Sequence, residues 1–227
     1  MDGKLIARYF FRETVGIVLM GVALLWPAGR VGWWPAWALL IVMAAWVAAT
    51  ATVILRTNPD LLAERLGPRP GAKSWDTAIM SVVGLLGLAR LILAGFDQRY
   101  GWTGGFPLAA QIAALVLAAL GYALGVWATG RNAYFSQIVR VQSERSHAVA
   151  TGGPYRYVRH PAYTGTIVFE LAVPVLLASW WALVPGMLNA ILWVIRTALE
   201  DRTLQAELEG YTDYARQVHY RLLPGVW

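Results

Sequence analysis

Between Trp33 and Leu55 the chain carries no charged residue, and comparably apolar runs recur at Val15–Trp26, Thr77–Phe96, Phe106–Thr129 and Thr164–Ile195. A helix needs about 20 apolar residues to cross the hydrocarbon of a bilayer. Within that hydrocarbon the backbone must satisfy its own polar groups, which makes such runs helical. Charged residues make up 14% of the chain and hydrophobic ones 58%, whereas a soluble domain holds about a quarter charged. The pattern predicts an all-α, polytopic membrane helical bundle forming one integral membrane domain, 1–227, embedded among membrane lipids. The absence of Cys excludes disulfides, a thiolate metal site and a Cys nucleophile. The net charge of +6 comes from basic residues scattered over several short loops, not one stripe, so no nucleic-acid partner is expected.

Taken in order, the spans are about Thr14–Trp26, Trp33–Leu55, Thr77–Phe96 and Phe106–Thr129, forming an N-terminal part, 1–130. No small-residue cleavage pattern follows the first run, so it reads as a retained helix. Asn58-Pro59-Asp60 opens a short helix, with Asp60 and Glu64 near its positive end and Leu61, Leu62 and Leu66 along the membrane surface. Gly121 and Gly125 give the fourth span a close-packing face. Thr164–Ile195 is roughly 32 residues, about 48 Å as one helix, which is too long for one crossing. It predicts a tight hairpin of two short helices bent at Pro174 and Pro185, bringing the total to about six membrane segments. The helix carrying Arg196 is expected to leave the membrane, continue to about Leu208 and be ended by Gly210, with a cytoplasmic helical tail beyond.

Basic residues decide the orientation. Lys4, Arg8 and Arg12, then Arg56, Arg65, Arg69 and Lys73, then Arg131, Arg140, Arg145, Arg156 and Arg159, then Arg196, Arg202, Arg216 and Arg221 all fall on one side. The other side has Arg30 and Arg99. Positively charged loops stay in the cytoplasm, which places both termini there.

Chemistry concentrates in one stretch, Gly152-Gly153-Pro154-Tyr155-Arg156-Tyr157-Val158-Arg159-His160-Pro161-Ala162-Tyr163-Thr164-Gly165. Gly-Gly-Pro is a turn signal, and Pro161 suits the first turn of a helix. Arg156, Arg159, His160 and Tyr163 thus stand at the mouth of the hairpin's first arm, with Glu200-Asp201 just beyond its second. A tight hairpin returns both to one interface. Cationic groups and a carboxylate pair together suit a zwitterionic, amino-acid-like ligand.

With Arg196, Glu200-Asp201-Leu204, Tyr211, Tyr214 and Arg221-Leu222-Leu223-Pro224, that stretch resembles the isoprenylcysteine carboxyl methyltransferase family, within a wider group that includes membrane phospholipid N-methyltransferases. The likeness covers about residues 131–227; the first half resembles bacterial members only in its run of spans. It implies a membrane enzyme that transfers a methyl group from S-adenosyl-L-methionine, entering from the cytoplasm, to a lipidic or small-molecule acceptor. The acceptor would be a prenylated-cysteine carboxylate, a phospholipid amine or a thiol. The residues it implies for the cofactor are Tyr157, His160, Pro161, Tyr163, Glu200, Asp201, Tyr211 and Tyr214, within a methyltransferase core of 131–227. Arg196, Glu200 and Arg221 are implied for catalysis, the two arginines orienting the acceptor. The implied location is a bacterial or archaeal plasma membrane. The family commonly has Glu-Glu where this chain has Glu200-Asp201, one methylene shorter at the second carboxylate.

Two other readings draw on particular features. Arg90 and Glu170 lie inside spans, as charges lining a transport pathway or stabilising a scaffold would. A related membrane reductase would use a nicotinamide cofactor, although the chain has no Gly-rich strand-to-helix loop. His147, His160 and His219 lack metal-ligand spacing, so no metal is expected.

Overall fold

The computed structural model describes residues 3–66 and 71–227. Arg69, one of the basic residues that set the orientation, lies outside them. The described chain is helical: α1 (Gly3–Ala28), α2 (Trp34–Thr57), α3 (Asp60–Leu66), α4 (Ser74–Tyr100), α5 (Leu108–Arg131), α6 (Pro161–Leu176), α7 (Trp180–Glu207) and α8 (Tyr211–Gln217). Five of these are long and apolar enough to cross a membrane, and α6 is a shorter apolar helix. The all-α, multi-span expectation holds, with α6 as the sixth segment.

The hairpin has unequal arms rather than two short ones. α6 has 16 residues, about 24 Å long, and α7 has 28. The extra length of α7 carries Arg196, Glu200 and Asp201 beyond the apolar run. Leu208 caps α7, and Gly210, in the left-handed region at φ 78°, opens α8 rather than ending α7.

Glycines set the helix crossings. A Cβ on Gly165 would collide with the Gly121 carbonyl, and the reverse holds, so α5 and α6 meet backbone to backbone. Gly125 faces open space, which leaves Gly121 as the packing half of the expected pair. Gly95 performs the same service for α1 against α4, and Gly186 for α7 against α6. In lipid, where apolar burial gives helices little reason to associate, such close approach recovers dispersion energy.

The charged side chains Arg90 and Glu170 inside the bundle are paired. Arg90 on α4 bonds the Glu170 carboxylate on α6, and Asn189 Nδ2 on α7 donates to the same carboxylate at 3.1 Å. The two intramembrane charges expected of a transport pathway neutralise each other instead. At the bundle end away from the hairpin mouth, Asp97 accepts from Thr103 N (2.6 Å) and from Ser179 Oγ (2.5 Å), tying α4 to the hairpin turn.

α3 does not lie free on the membrane. Leu61 and Leu62 are buried in a cluster with Tyr9, Val47, Ala51 and Ile54. This places Glu64 beneath the long loop that follows α5.

Candidate active site

The hairpin's two feet touch at the end opposite its turn. His160 caps α6, with Pro161 in the first turn as its missing N–H allows. Gly153, at φ 61°, lets the chain enter a 3-10 turn, Gly153–Arg156, that delivers Tyr155 inward. The tail then runs beside this foot: Arg159 N donates to Tyr220 O and His160 N to Arg221 O, both at 2.9 Å.

Asp201 is the hub. It is fully buried, and every partner converges on its two oxygens. Arg159 grips it in a fork, Nε to Oδ1 at 2.7 Å and Nη2 to Oδ2 at 2.9 Å. Arg221 Nε (2.9 Å), Gln205 Nε2 (2.8 Å) and Tyr211 Oη (3.0 Å) donate as well, and His160 Nε2 lies 3.3 Å away. Burial, and then the Asp201 charge, raises the Tyr211 phenol above its usual range, so it stays a neutral donor.

Glu200 takes a different direction. Successive helix residues project about 100° apart, so the two neighbouring carboxylates cannot share one face. Glu200 lines a cavity and accepts a hydrogen bond from Tyr163 Oη across the hairpin.

Arg196, one turn earlier, turns toward α4. Its Nε donates to Asp76 Oδ1 at 2.6 Å, and its guanidinium lies 5.0 Å from the ring centres of both Tyr163 and Trp193. Asp76 also accepts from Val139 N at 2.8 Å. That contact holds the middle of the cavity's cover in place.

The cover is the irregular segment 132–150. Glu64 on α3 anchors it, accepting from Arg140 Nη2 (2.7 Å) and Ser136 Oγ (3.1 Å), and Glu144 pairs with Arg140 at 2.7 Å. Farther along, His147 stacks on Tyr134 at 4.4 Å between ring centres. Its Nδ1 accepts from Gln142 N at 3.2 Å, so that nitrogen carries no proton. Burial first, then the Arg145 and Arg140 charges, pushes the imidazole down to about 4.

Under this cover lies a cavity of ≈ 80 Å³ within a depression of ≈ 720 Å³ that opens to solvent. Its walls include Tyr134, Tyr155, His160, Tyr163, Glu200 and Tyr211. Pockets for whole ligands usually measure about 300–1,000 Å³. The chemistry here suits a cationic, aromatic ligand, but admitting one requires segment 132–150 to draw back.

The expected residues therefore divide. His160, Pro161, Tyr163, Glu200, Tyr211 and Tyr214 line the one cavity. Asp201 is sealed beneath it, Arg196 is engaged with Asp76, and Arg221 pairs with Asp201 while its guanidinium covers the Trp227 ring at 4.8 Å. Tyr157 is 65% exposed and lies outside the lining. Sequence reasoning passed over Asp76, Gln205 and the Glu64–Arg140 clasp. A lone carboxylate in the first turn of an apolar span, as Asp76 is, was the available signal.

Comparison with known proteins agrees with this picture. The model of the isoprenylcysteine carboxyl methyltransferase family matches residues 111–206, from α5 through Glu200 and Asp201. A probable protein-S-isoprenylcysteine O-methyltransferase of Oryza sativa subsp. indica is 27% identical over 186 residues, 77% of this chain and 93% of that protein. The Schizosaccharomyces pombe protein-S-isoprenylcysteine O-methyltransferase is 34% identical over 88 residues, 37% of this chain and 36% of its own. The solved structure of the eukaryotic intramembrane Ras methyltransferase superposes loosely, with TM-score 0.49 and 13% identity over 96% of this chain and 85% of that one.

The apolar spanning helices define a multi-pass membrane protein, and its segment 111–206 matches a methyltransferase family model. That part of the chain, with the two-part signature around His160 and Glu200, is similar to the isoprenylcysteine carboxyl methyltransferases.

Proposed function

We propose that this protein methylates a lipidic carboxylate such as that of a prenylated cysteine, using S-adenosyl-L-methionine drawn from the cytoplasm. Bound in the cavity, that donor supplies a sulfonium-activated methyl group. The acceptor oxygen forms its bond to the methyl carbon as the carbon–sulfur bond breaks, and sulfur keeps the electron pair. A carboxylate acceptor is already ionised, so no general base is needed. The protein's task is alignment and exclusion of water.

The single observation carrying this reading is the convergence of Tyr163, His160 and Glu200 on one cavity at the hairpin mouth. Glu200 offers the anionic counterpart for the donor's ammonium. Tyr155, Tyr163, Tyr211 and Tyr214 line the same cavity, where a bound cation would meet aromatic walls. Pro161 sets the wall that His160 stands on. Asp201, Arg159 and Arg221 act as a rigid base that holds His160 and Tyr211 in place, and Arg196 positions Tyr163 through its ring. Tyr157 is assigned to the cavity's outer approach. We assign donor binding to a core of 131–227, since the cavity lining lies between Asn132 and Tyr214, and leave 1–130 as the membrane part that supports it. Both termini are assigned to the cytoplasm by the basic residues on that side.

Transfer of a labelled methyl group from S-adenosyl-L-methionine to N-acetyl-S-farnesylcysteine by the purified protein tests the reading. Label recovered as a base-labile ester supports it. Label recovered only on phospholipid amine or a small thiol overturns the carboxylate assignment.

A further inference from the structure

The arginines that family likeness implies for the acceptor are both engaged: Arg196 holds Asp76, and Arg221 holds Asp201. A second cavity shows another candidate. Between α2 and α5 lies an open-sided groove of ≈ 630 Å³, lined from Val42 to Thr57 on one helix and from Ala119 to Arg131 on the other. It runs about 22 Å along α2. The stacked rings of Trp46 and Tyr122, 4.8 Å apart, form part of its wall, and Phe169 stacks behind Tyr122 at 4.1 Å. The groove is apolar except at one end.

That end is Arg131. Three guanidinium groups line the two cavities: Arg140, Arg159 and Arg131. Arg140 is bound by Glu64 and Glu144, and Arg159 by Asp201. Arg131 is exposed and has no hydrogen-bond or ion-pair partner among the described residues. Its neighbour in sequence, Asn132, lines the donor cavity, with Nδ2 3.4 Å from Tyr155 Oη. The aliphatic stem of Arg131 lies against Gly153, where any Cβ would clash with it. One unpaired cation therefore stands at the end of an apolar groove, next in sequence to a residue that lines the methyl-donor cavity.

We infer that Arg131 is the anion anchor for the methyl acceptor, whose single apolar chain lies in the α2–α5 groove. This rests on the methyltransferase reading and specifies which residue selects the substrate. The charge chooses a carboxylate over a neutral or cationic head, and the groove chooses one chain over two. An ammonium-headed or double-chain phospholipid is disfavoured on both counts.

The test is equilibrium binding of N-acetyl-S-farnesylcysteine and its carboxamide to the full-length protein in micelles, with S-adenosyl-L-methionine binding measured in parallel. The wild type is expected to prefer the carboxylate by about tenfold, the worth of one charge-assisted hydrogen bond. Arg131→Gln should abolish the preference without changing donor affinity, Arg131→Lys should restore part of it, and Ala123→Phe in the groove wall should weaken both ligands equally. An undiminished preference in Arg131→Gln overturns the anchor, as does a wild type that does not distinguish the two ligands. Failure of donor binding alone would count against the methyltransferase reading and leave the anchor result readable.

Discussion

Arg159 and Asp201 face each other across the hairpin mouth in a two-bond fork, at 2.7 and 2.9 Å, with the aspartate fully buried. This pair, 42 positions apart in the chain, locks the first foot to the second and draws in the C-terminal tail through Arg159 Nη1, which donates to Val218 O (2.8 Å) and His219 O (2.9 Å).

Breaking that fork from one side strands a buried guanidinium. Asp201→Asn is expected to destabilise the protein by about 3–5 kcal/mol, read by denaturant unfolding in micelles. Loss of stability should accompany loss of donor binding, since His160 and Tyr211 both lean on this carboxylate. A stable Asp201→Asn variant that still binds donor normally would remove Asp201 from its supporting role.

The hairpin's joining of Arg159-His160 to Glu200-Asp201 was readable from the sequence because the run between them is too long for one crossing and ends on the side it began. How the two carboxylates divide their work was not. Adjacent helix positions point about 100° apart, and only the helix's rotation against α6 decides which one meets the cavity. The contact that Arg196 makes was not readable for a similar reason. Its partner, Asp76, is 120 positions away, and nothing local distinguishes a buried ion pair from a substrate contact. The Glu64–Arg140 clasp likewise depends on α3 packing against α1 and α2 rather than lying on the membrane surface.

The α5–α6 crossing has no room for a side chain. Gly165→Leu should prevent close approach to Gly121 and cost about 1–3 kcal/mol or more, as overpacking does. Gly125→Leu, on α5 one turn beyond Gly121 and facing open space, serves as the control and should be tolerated. Thermal unfolding of both variants separates a packing effect from helix propensity.

Within the bundle, Arg90→Leu alone leaves Glu170 uncompensated and should cost about 3–5 kcal/mol, whereas Arg90→Leu with Glu170→Leu should recover most of that loss. Denaturant unfolding of the two single variants and the double variant gives the coupling directly. If the pair instead served transport, the double variant would fold normally while abolishing solute flux in proteoliposomes.

Acid should loosen the cover. His147 takes up its proton near pH 4 in the closed segment, against about 6.5 in an open chain, so the open form binds more protons throughout that window. Stability of the closed form therefore falls as pH drops from about 6.5 toward 4. Glu64 acts in the same sense. The Arg140 hydrogen bond lowers its pKa, and its contribution is present above the ordinary carboxylate range and lost as pH falls through the folded value. Hydrogen exchange of 132–150 should speed up between pH 7 and pH 4.5 relative to α5. His147→Gln should flatten the upper part of that profile, and a wild-type profile that tracks α5 would refute the assignment.

The most direct measurement of the whole account is calorimetric titration of S-adenosyl-L-methionine into the wild type and Glu200→Gln. The Gln amide oxygen can still accept the Tyr163 hydrogen bond across the hairpin, so the variant should unfold like the wild type yet bind donor at least about tenfold more weakly. Equal affinity in a normally folded Glu200→Gln protein would contradict the claim that the hairpin mouth is the donor site.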